Sequence, residues 1–198
     1  MSRETSPKSA EHEAHIVAAQ IGRPLRAPSR AARRCHLGLP VVATVPPVLA
    51  NGEPFPTRFW LSCPLAHRRI ARLEAAGGVR AADARAGDDA AFAASLRDAH
   101  ARYATERDAL LPRDARLAPR GGVGGSRGGV KCLHAHYAHH AAGRLTALGA
   151  EVAARIEPLD CASPCVTSAG DGFRRDPAWS EPALDARAPS PDAGAHGS

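Results

Sequence analysis

Long apolar runs, lysine and aromatic side chains are all scarce in this chain of 198 residues. No stretch approaches the roughly 18 uninterrupted apolar residues that cross a bilayer, so we expect no membrane span. The first fifteen residues are polar and lack the apolar core of a secretory signal. These absences predict a cytoplasmic protein.

Cysteine pairs of the CxxC type are absent too, although the chain has five cysteines. An odd number of thiols in a reducing compartment argues against a framework of structural disulfides. Metal binding, catalysis and simple burial remain as roles for these thiols.

The net charge of +6 permits contact with nucleic acid, but its distribution argues against that function. Arginines alternate with Asp and Glu over residues 80–108, a pattern typical of a solvated helix surface. No basic stripe with interleaved aromatics accompanies the charge. A protein partner stays open, and an exposed apolar patch around Phe55, Phe59 and Trp60 would be its signature.

The chain length and patterning predict one α+β domain over residues 11–166. A flexible N-terminus at 1–10 and a disordered Pro/Ala/Gly-rich tail at 167–198 would flank it.

Within the domain, β-branched residues near Val42 and an Asn51-Gly52 turn predict a small β-hairpin or three-stranded sheet. Apolar residues at spacings of three and four predict four to six helices packed against it. The clearest of these helices carries Phe92, Leu96 and Tyr103.

The segment GGVKCLHAHYAHH, residues 128–140, concentrates most of the chemistry. We predict a helix over about 130–142, on which Cys132, His136 and His140 share one face and His139 lies close by. His134 would point elsewhere. Thiol and imidazole groups on adjacent turns are ligands that zinc accepts.

Further ligands would have to come from other elements. Cys35 and Cys63 lie just outside the two ends of the predicted hairpin, so we expect them to be neighbours. With Cys132, and with Cys161, Cys165 or a histidine, they could bind zinc or an iron–sulfur cluster. The candidate metal ligands are Cys35, Cys63, Cys132, Cys161, Cys165, His134, His136 and His139.

Two other interpretations of the same segment stay open. Cys132 could be a catalytic thiol, since a helix start and Lys131 would stabilise its thiolate. Alternatively, Gly128, Gly129 and Lys131 could hold a phosphorylated or anionic small molecule in a concave pocket, because N–H groups at a helix start attract anions. The residue order is not that of a Walker A motif. No reaction follows from these patterns, so whether the chain is an enzyme is left open.

Three stretches resemble a bacterial family, common in actinobacteria, known as domain of unknown function 501. They are CHLGLP from Cys35, PFPTRFWLSCP from Pro54 and VKCLHAHYAH from Val130, with RLEAAGGVR between the last two. The resemblance covers about residues 15–166. It implies a small cytosolic protein of undetermined activity. It also implies that the pattern residues form one shared site: Cys35, Cys63, Cys132, His134 and His139.

Overall fold

The computed structural model describes residues 7–183, with side chains from Glu11 onward. Within that range the chain forms six α-helices and two small antiparallel sheets, which confirms the predicted α+β class. The helices are α1 (Pro7–Ile21), α2 (Pro64–Ala75), α3 (Gly78–Asp88), α4 (Ala90–Asp108), α5 (Leu133–Ala141) and α6 (Ala147–Ile156). The strands are β1 (Arg30–Arg34), β2 (Pro40–Thr44), β3 (Phe59–Leu61), β4 (Val166–Ala169) and β5 (Gly172–Arg175). No helix in this range is both long enough and apolar enough to cross a bilayer.

The larger sheet has the order β1-β2-β3, with β2 in the centre and both neighbours antiparallel to it. Val41 and Val42 of β2 are fully buried, as expected of β-branched residues in a central strand. The chain between β2 and β3 is interrupted by four prolines, which lack the N–H group that a ladder needs. This is why β3 is only three residues long.

The helices pack around this sheet and bury one main core. Pro64 opens α2 at a position where its missing N–H costs nothing, and Asp89 caps α4 by accepting from the Phe92 N–H. Phe92, Leu96 and Tyr103 are buried on one face of α4, as their spacing predicts.

The segment after α6 differs from the predicted disorder. Residues 166–175 form the β4–β5 hairpin, which packs on α1. Arg175 donates two hydrogen bonds to the Gln20 carbonyl oxygen at the end of α1, at 3.1 and 2.6 Å. Such long-range contacts leave no signal in local composition. Residues 1–6 of the predicted flexible N-terminus and 184–198 of the predicted tail lie outside the described residues.

A buried guanidinium joins the segment after α6 to α2. Arg69 is only 2% exposed, and its Nη1 donates to the carbonyl oxygens of Ile156 and Pro158 at 2.7 and 2.6 Å. Its Nη2 donates to the Pro182 carbonyl oxygen at 3.2 Å. One side chain therefore satisfies the last carbonyl of α6 and two carbonyls of irregular backbone.

Replacing Arg69 by Met should lower the free energy of unfolding by about 3 kcal/mol, because it strands buried carbonyls without donors. The matched control is Arg72→Met on the same helix. Arg72 is exposed and pairs with Glu181, so its loss should cost under about 1 kcal/mol. Urea unfolding of the three proteins measures both effects, and equal losses would contradict the role given to Arg69.

Candidate functional site

Four of the five cysteines line a single narrow pocket, although they come from three separate parts of the chain. Cys35, Cys63, Cys161 and Cys165 all contribute to its wall. The rest of the lining is mostly apolar: Leu37, Leu39, Pro40, Pro64, Leu65, Leu159 and Trp179, with Gln20. The pocket is therefore a low-dielectric environment rich in sulfur.

The sheet explains why Cys35 and Cys63 meet. Because β1 and β3 are both antiparallel to β2, their last residues lie at the same end of the sheet, on either side of the start of β2. Cys35 follows β1, and its N–H donates to the Leu39 carbonyl across a tight turn that Gly38 completes at φ 75°. Cys63 follows β3 and is the residue before α2. The expected proximity of these two cysteines is thus borne out by their shared pocket.

The segment carrying Cys161 and Cys165 is fixed against this edge by polar contacts. Both ring nitrogens of His36 face carbonyl oxygens of that segment, Leu159 at 3.1 Å and Cys161 at 3.0 Å. The Gln20 side-chain N–H donates to the Cys165 sulfur at 3.5 Å. Neither His36 nor Gln20 was among the candidates from sequence, because their partners are distant in the chain.

Burial strongly disfavours the thiolate form of these cysteines. Burial, together with the neighbouring Cys165 and Cys161, raises the pKa of Cys63 to about 12. The N–H groups of Leu65 and Ala66 at the start of α2 partly oppose this shift. Burial also raises the pKa of Cys165, against the opposing hydrogen bond from Gln20. Cys63 and Cys165 are therefore held as neutral thiols.

The sulfur atoms surround the pocket but do not meet at a common point. Within residues 7–183, no group of three or more Cys, His, Asp or Glu side chains stands close enough together to hold a metal ion as placed. Cys161 lies in irregular backbone between α6 and β4, where no helix or strand constrains its side chain.

The fifth cysteine, Cys132, lies in a different pocket, at the start of α5. It is the capping residue of α5 in extended conformation, and its sulfur accepts from the Ala135 N–H at 3.4 Å. Helical periodicity therefore does not apply to it, and it lies beside His134 rather than on a face with His136. Burial and the charge of Glu74 raise the pKa of Cys132, against the lowering by Lys131. This shift is opposite to the one that a catalytic thiol requires.

Glu74 of α2 occupies the start of α5. Its Oε1 accepts from the Leu133 N–H at 2.6 Å and lies 3.1 Å from Nδ1 of His134. The other ring nitrogen of His134 faces the His67 carbonyl oxygen at 3.2 Å. The anion expected at this helix start is thus supplied by the protein itself, a role that nothing in the local sequence around Glu74 indicates.

The glycine-rich segment before Lys131 is folded around the Ser126 side chain and does not form an open anion-binding loop. The Ser126 hydroxyl lies within hydrogen-bond distance of the carbonyls of Gly128 and Gly129, at 2.7 and 2.9 Å. The Asp83 carboxylate accepts from the Val130 N–H at 2.6 Å, next to these glycines. Gly128 and Gly129 are not in the wall of the pocket, whereas Lys131 is.

The aromatic residues considered for a protein-binding patch do not form one exposed surface. Phe59 is 2% exposed. Phe55 and Trp60 are half-buried, their rings stack with centroids 5.5 Å apart, and both line the pocket at the start of α5. The Arg23 guanidinium lies 4.8 Å from the Trp60 ring centre. None of these three aromatic residues is among the exposed large hydrophobic residues of the described range.

His136 and His139 belong to the core. Each is 1% exposed, and neither has a hydrogen-bond partner for its ring nitrogens within the described residues. The His136 ring lies against His100, and the His139 ring against Phe59 and Tyr103. Burial lowers the pKa of His136 to about 3 and that of His139 to about 4, so both rings are neutral in the folded protein.

These two histidines should make the protein less stable as the pH falls. A histidine in the unfolded chain has a pKa near 6.5. Between pH 7 and pH 5 these two histidines are therefore protonated in the unfolded chain but stay neutral in the native state. Each ring should lower the free energy of unfolding by about 2 kcal/mol over that interval. In the variant with His136→Phe and His139→Phe, denaturant unfolding at several pH values should show a flatter profile by about 4 kcal/mol. Identical profiles in both proteins would contradict this assignment.

Comparison with known proteins supports a family but no function. The model of a family described as "Protein of unknown function (DUF501)" matches residues 31–154. No curated protein and no solved structure matches this chain. The matched range includes β1 through most of α6, and with it Cys35, Cys63, Cys132 and the histidines of α5, whereas Cys161 and Cys165 lie beyond it. Because the match spans more than half of the chain, this protein belongs to the DUF501 family.

Proposed function

We propose that this protein binds one zinc ion through Cys35, Cys63, Cys161 and Cys165. The main support for the proposal is that these four thiols, which come from three segments of the chain, line one pocket. Four cysteines are a complete ligand set for tetrahedral structural zinc. The sequence led us to include Cys132 in this set, and its position in a separate pocket favours the pair Cys161 and Cys165 instead.

The surroundings of the thiols suit a cation. Desolvation and mutual repulsion raise the pKa of Cys63 and of Cys165, and both effects are relieved when a divalent ion is bound between the sulfurs. The Gln20 amide already donates to the Cys165 sulfur, and the N–H groups at the start of α2 are the nearest backbone donors to Cys63. Such N–H donors are the usual outer partners of metal-bound thiolates.

The size of the pocket favours a single ion over an iron–sulfur cluster. The free space between the lining residues is about 10 Å³, which is room for one water-sized sphere. Zinc would draw the four sulfurs inward by rotation of the cysteine side chains, while His36 holds the backbone of Cys161 in place. A cluster with several iron and sulfide atoms would have to expand the pocket.

The expected role of the ion is structural. Bound there, zinc would crosslink the turn after β1, the start of α2 and the segment between α6 and β4. All four positions are used by protein ligands, so no open coordination site is left for a substrate.

Protein purified under reducing conditions without chelator should contain about one zinc per chain by elemental analysis. Cys35→Ser or Cys63→Ser should lower the zinc affinity by about tenfold or more. A chelator should lower the melting temperature of the wild type but not of these variants, because bound metal contributes to folding.

Cys132→Ser is the matched control, since it removes a thiol of the same chain from outside the cluster. It should keep its zinc and its response to chelator. Wild-type protein with no metal and five freely titrating thiols would overturn the proposal. Iron with sulfide and a visible absorption band would overturn zinc as the metal.

A further inference from the structure

A second concave site lies at the start of α5 and shares no residue with the cysteine cluster. Its cavity of about 360 Å³ is within the size range of small-molecule sites. One wall is apolar, formed by Phe55, Phe59, Trp60 and Leu61. The same cavity is also lined by residues with polar groups: Lys131, Cys132, His134, His67 and Thr57.

Lys131 gives this cavity a positive charge, on an ammonium group held by a neutral backbone carbonyl. Its Nζ donates one hydrogen bond, to the Gly124 carbonyl oxygen at 2.8 Å, which leaves two of its three N–H groups for another acceptor. Lys131 takes part in none of the ion pairs among residues 11–183, although many arginines there are paired with acids. The neutral Gly124 carbonyl fixes the position of the ammonium group without cancelling its charge.

The neighbouring acid Glu74 lies outside the cavity wall and is engaged by other groups. Its Oε1 accepts from the Leu133 N–H at 2.6 Å and lies 3.1 Å from Nδ1 of His134. The other ring nitrogen of His134 lies 3.2 Å from the His67 carbonyl oxygen. Burial and the nearby His134 lower the pKa of His67, so its ring adds no charge. Among the described residues no acidic side chain lines the cavity, so Lys131 is the group there that attracts an anion.

We propose that this cavity binds a small organic anion, with its carboxylate or phosphate group at Lys131 and its apolar body against Phe59, Trp60 and Leu61. The apolar and polar residues line one cavity, so a single molecule can contact both. The Cys132 thiol in its lining has a raised pKa and contributes shape and not charge. The site is independent of zinc, because no cysteine of the cluster lines it.

The test uses the zinc-loaded full-length protein and three small probes with the same ring. Phenyl phosphate and benzoate carry the two anionic groups, and benzyl alcohol is their neutral counterpart. In two-dimensional amide NMR spectra, at least one anion should shift the signals of residues 131–135, and benzyl alcohol should bind about tenfold more weakly. Which anion binds more tightly distinguishes a phosphate from a carboxylate ligand.

Three variants assign the binding to Lys131. Lys131→Met should weaken the binding of the preferred anion about tenfold, whereas Lys131→Arg should keep most of it. Arg127→Met is the matched control: it removes one positive charge four residues away and outside the cavity, so affinity should change less than about threefold. Unshifted signals with both anions, equal binding of benzyl alcohol, or equal losses in Lys131→Met and Arg127→Met would each overturn the proposal.

Discussion

The buried guanidinium of Arg69 is the interaction on which the rest of the arrangement depends. Residues 157–165 follow α6 as irregular backbone, and where such backbone packs against the core its carbonyl groups need donors. Arg69 donates to the Ile156 carbonyl at the end of α6 and to the Pro158 carbonyl two residues later. A second arginine, Arg33 of β1, holds the adjacent Glu157 through two hydrogen bonds of 2.7 and 3.1 Å. Cys161 and Cys165 reach the sheet edge because these two arginines fix the segment that precedes them.

Helix α2 connects the contacts of Arg69 to both candidate sites. Cys63 precedes its first turn and lies in the cysteine cluster, and Arg69 in its middle holds the segment after α6. His67 and Glu74 of the same helix contact His134 at the start of α5, beside the anion cavity. The proposed zinc and the proposed anion would therefore bind beside the two opposite ends of α2. The zinc would stabilise the fold, and the cavity would carry the interaction with a ligand.

The fold could be predicted from the sequence because its signals are local. Proline positions, the Asn51-Gly52 turn and the spacing of Phe92, Leu96 and Tyr103 depend on neighbouring residues only. The proximity of Cys35 and Cys63 could also be predicted, since it follows from the two ends of a hairpin. The β4–β5 hairpin could not, because its stability comes from α1, more than 140 residues earlier.

The site was predicted less completely, for two physical reasons. Cys132 was expected to follow helical periodicity, yet it is the capping residue in extended conformation and so faces a different pocket. His136 and His139 were candidate ligands by residue type, but α5 is buried on the face that carries them. Glu74, Gln20 and His36 act through partners that are distant in sequence. Only tertiary structure reveals such residues.

X-ray absorption at the zinc edge is the sharpest test of whether the four cysteines share one ion. We expect a shell of four sulfur atoms at about 2.3 Å from the zinc and no nitrogen or oxygen ligand. That shell should be unchanged in Cys132→Ser, and in Cys161→Ser it should lose one sulfur. A wild-type shell of nitrogen and oxygen atoms, or one that changes in Cys132→Ser, would contradict the account.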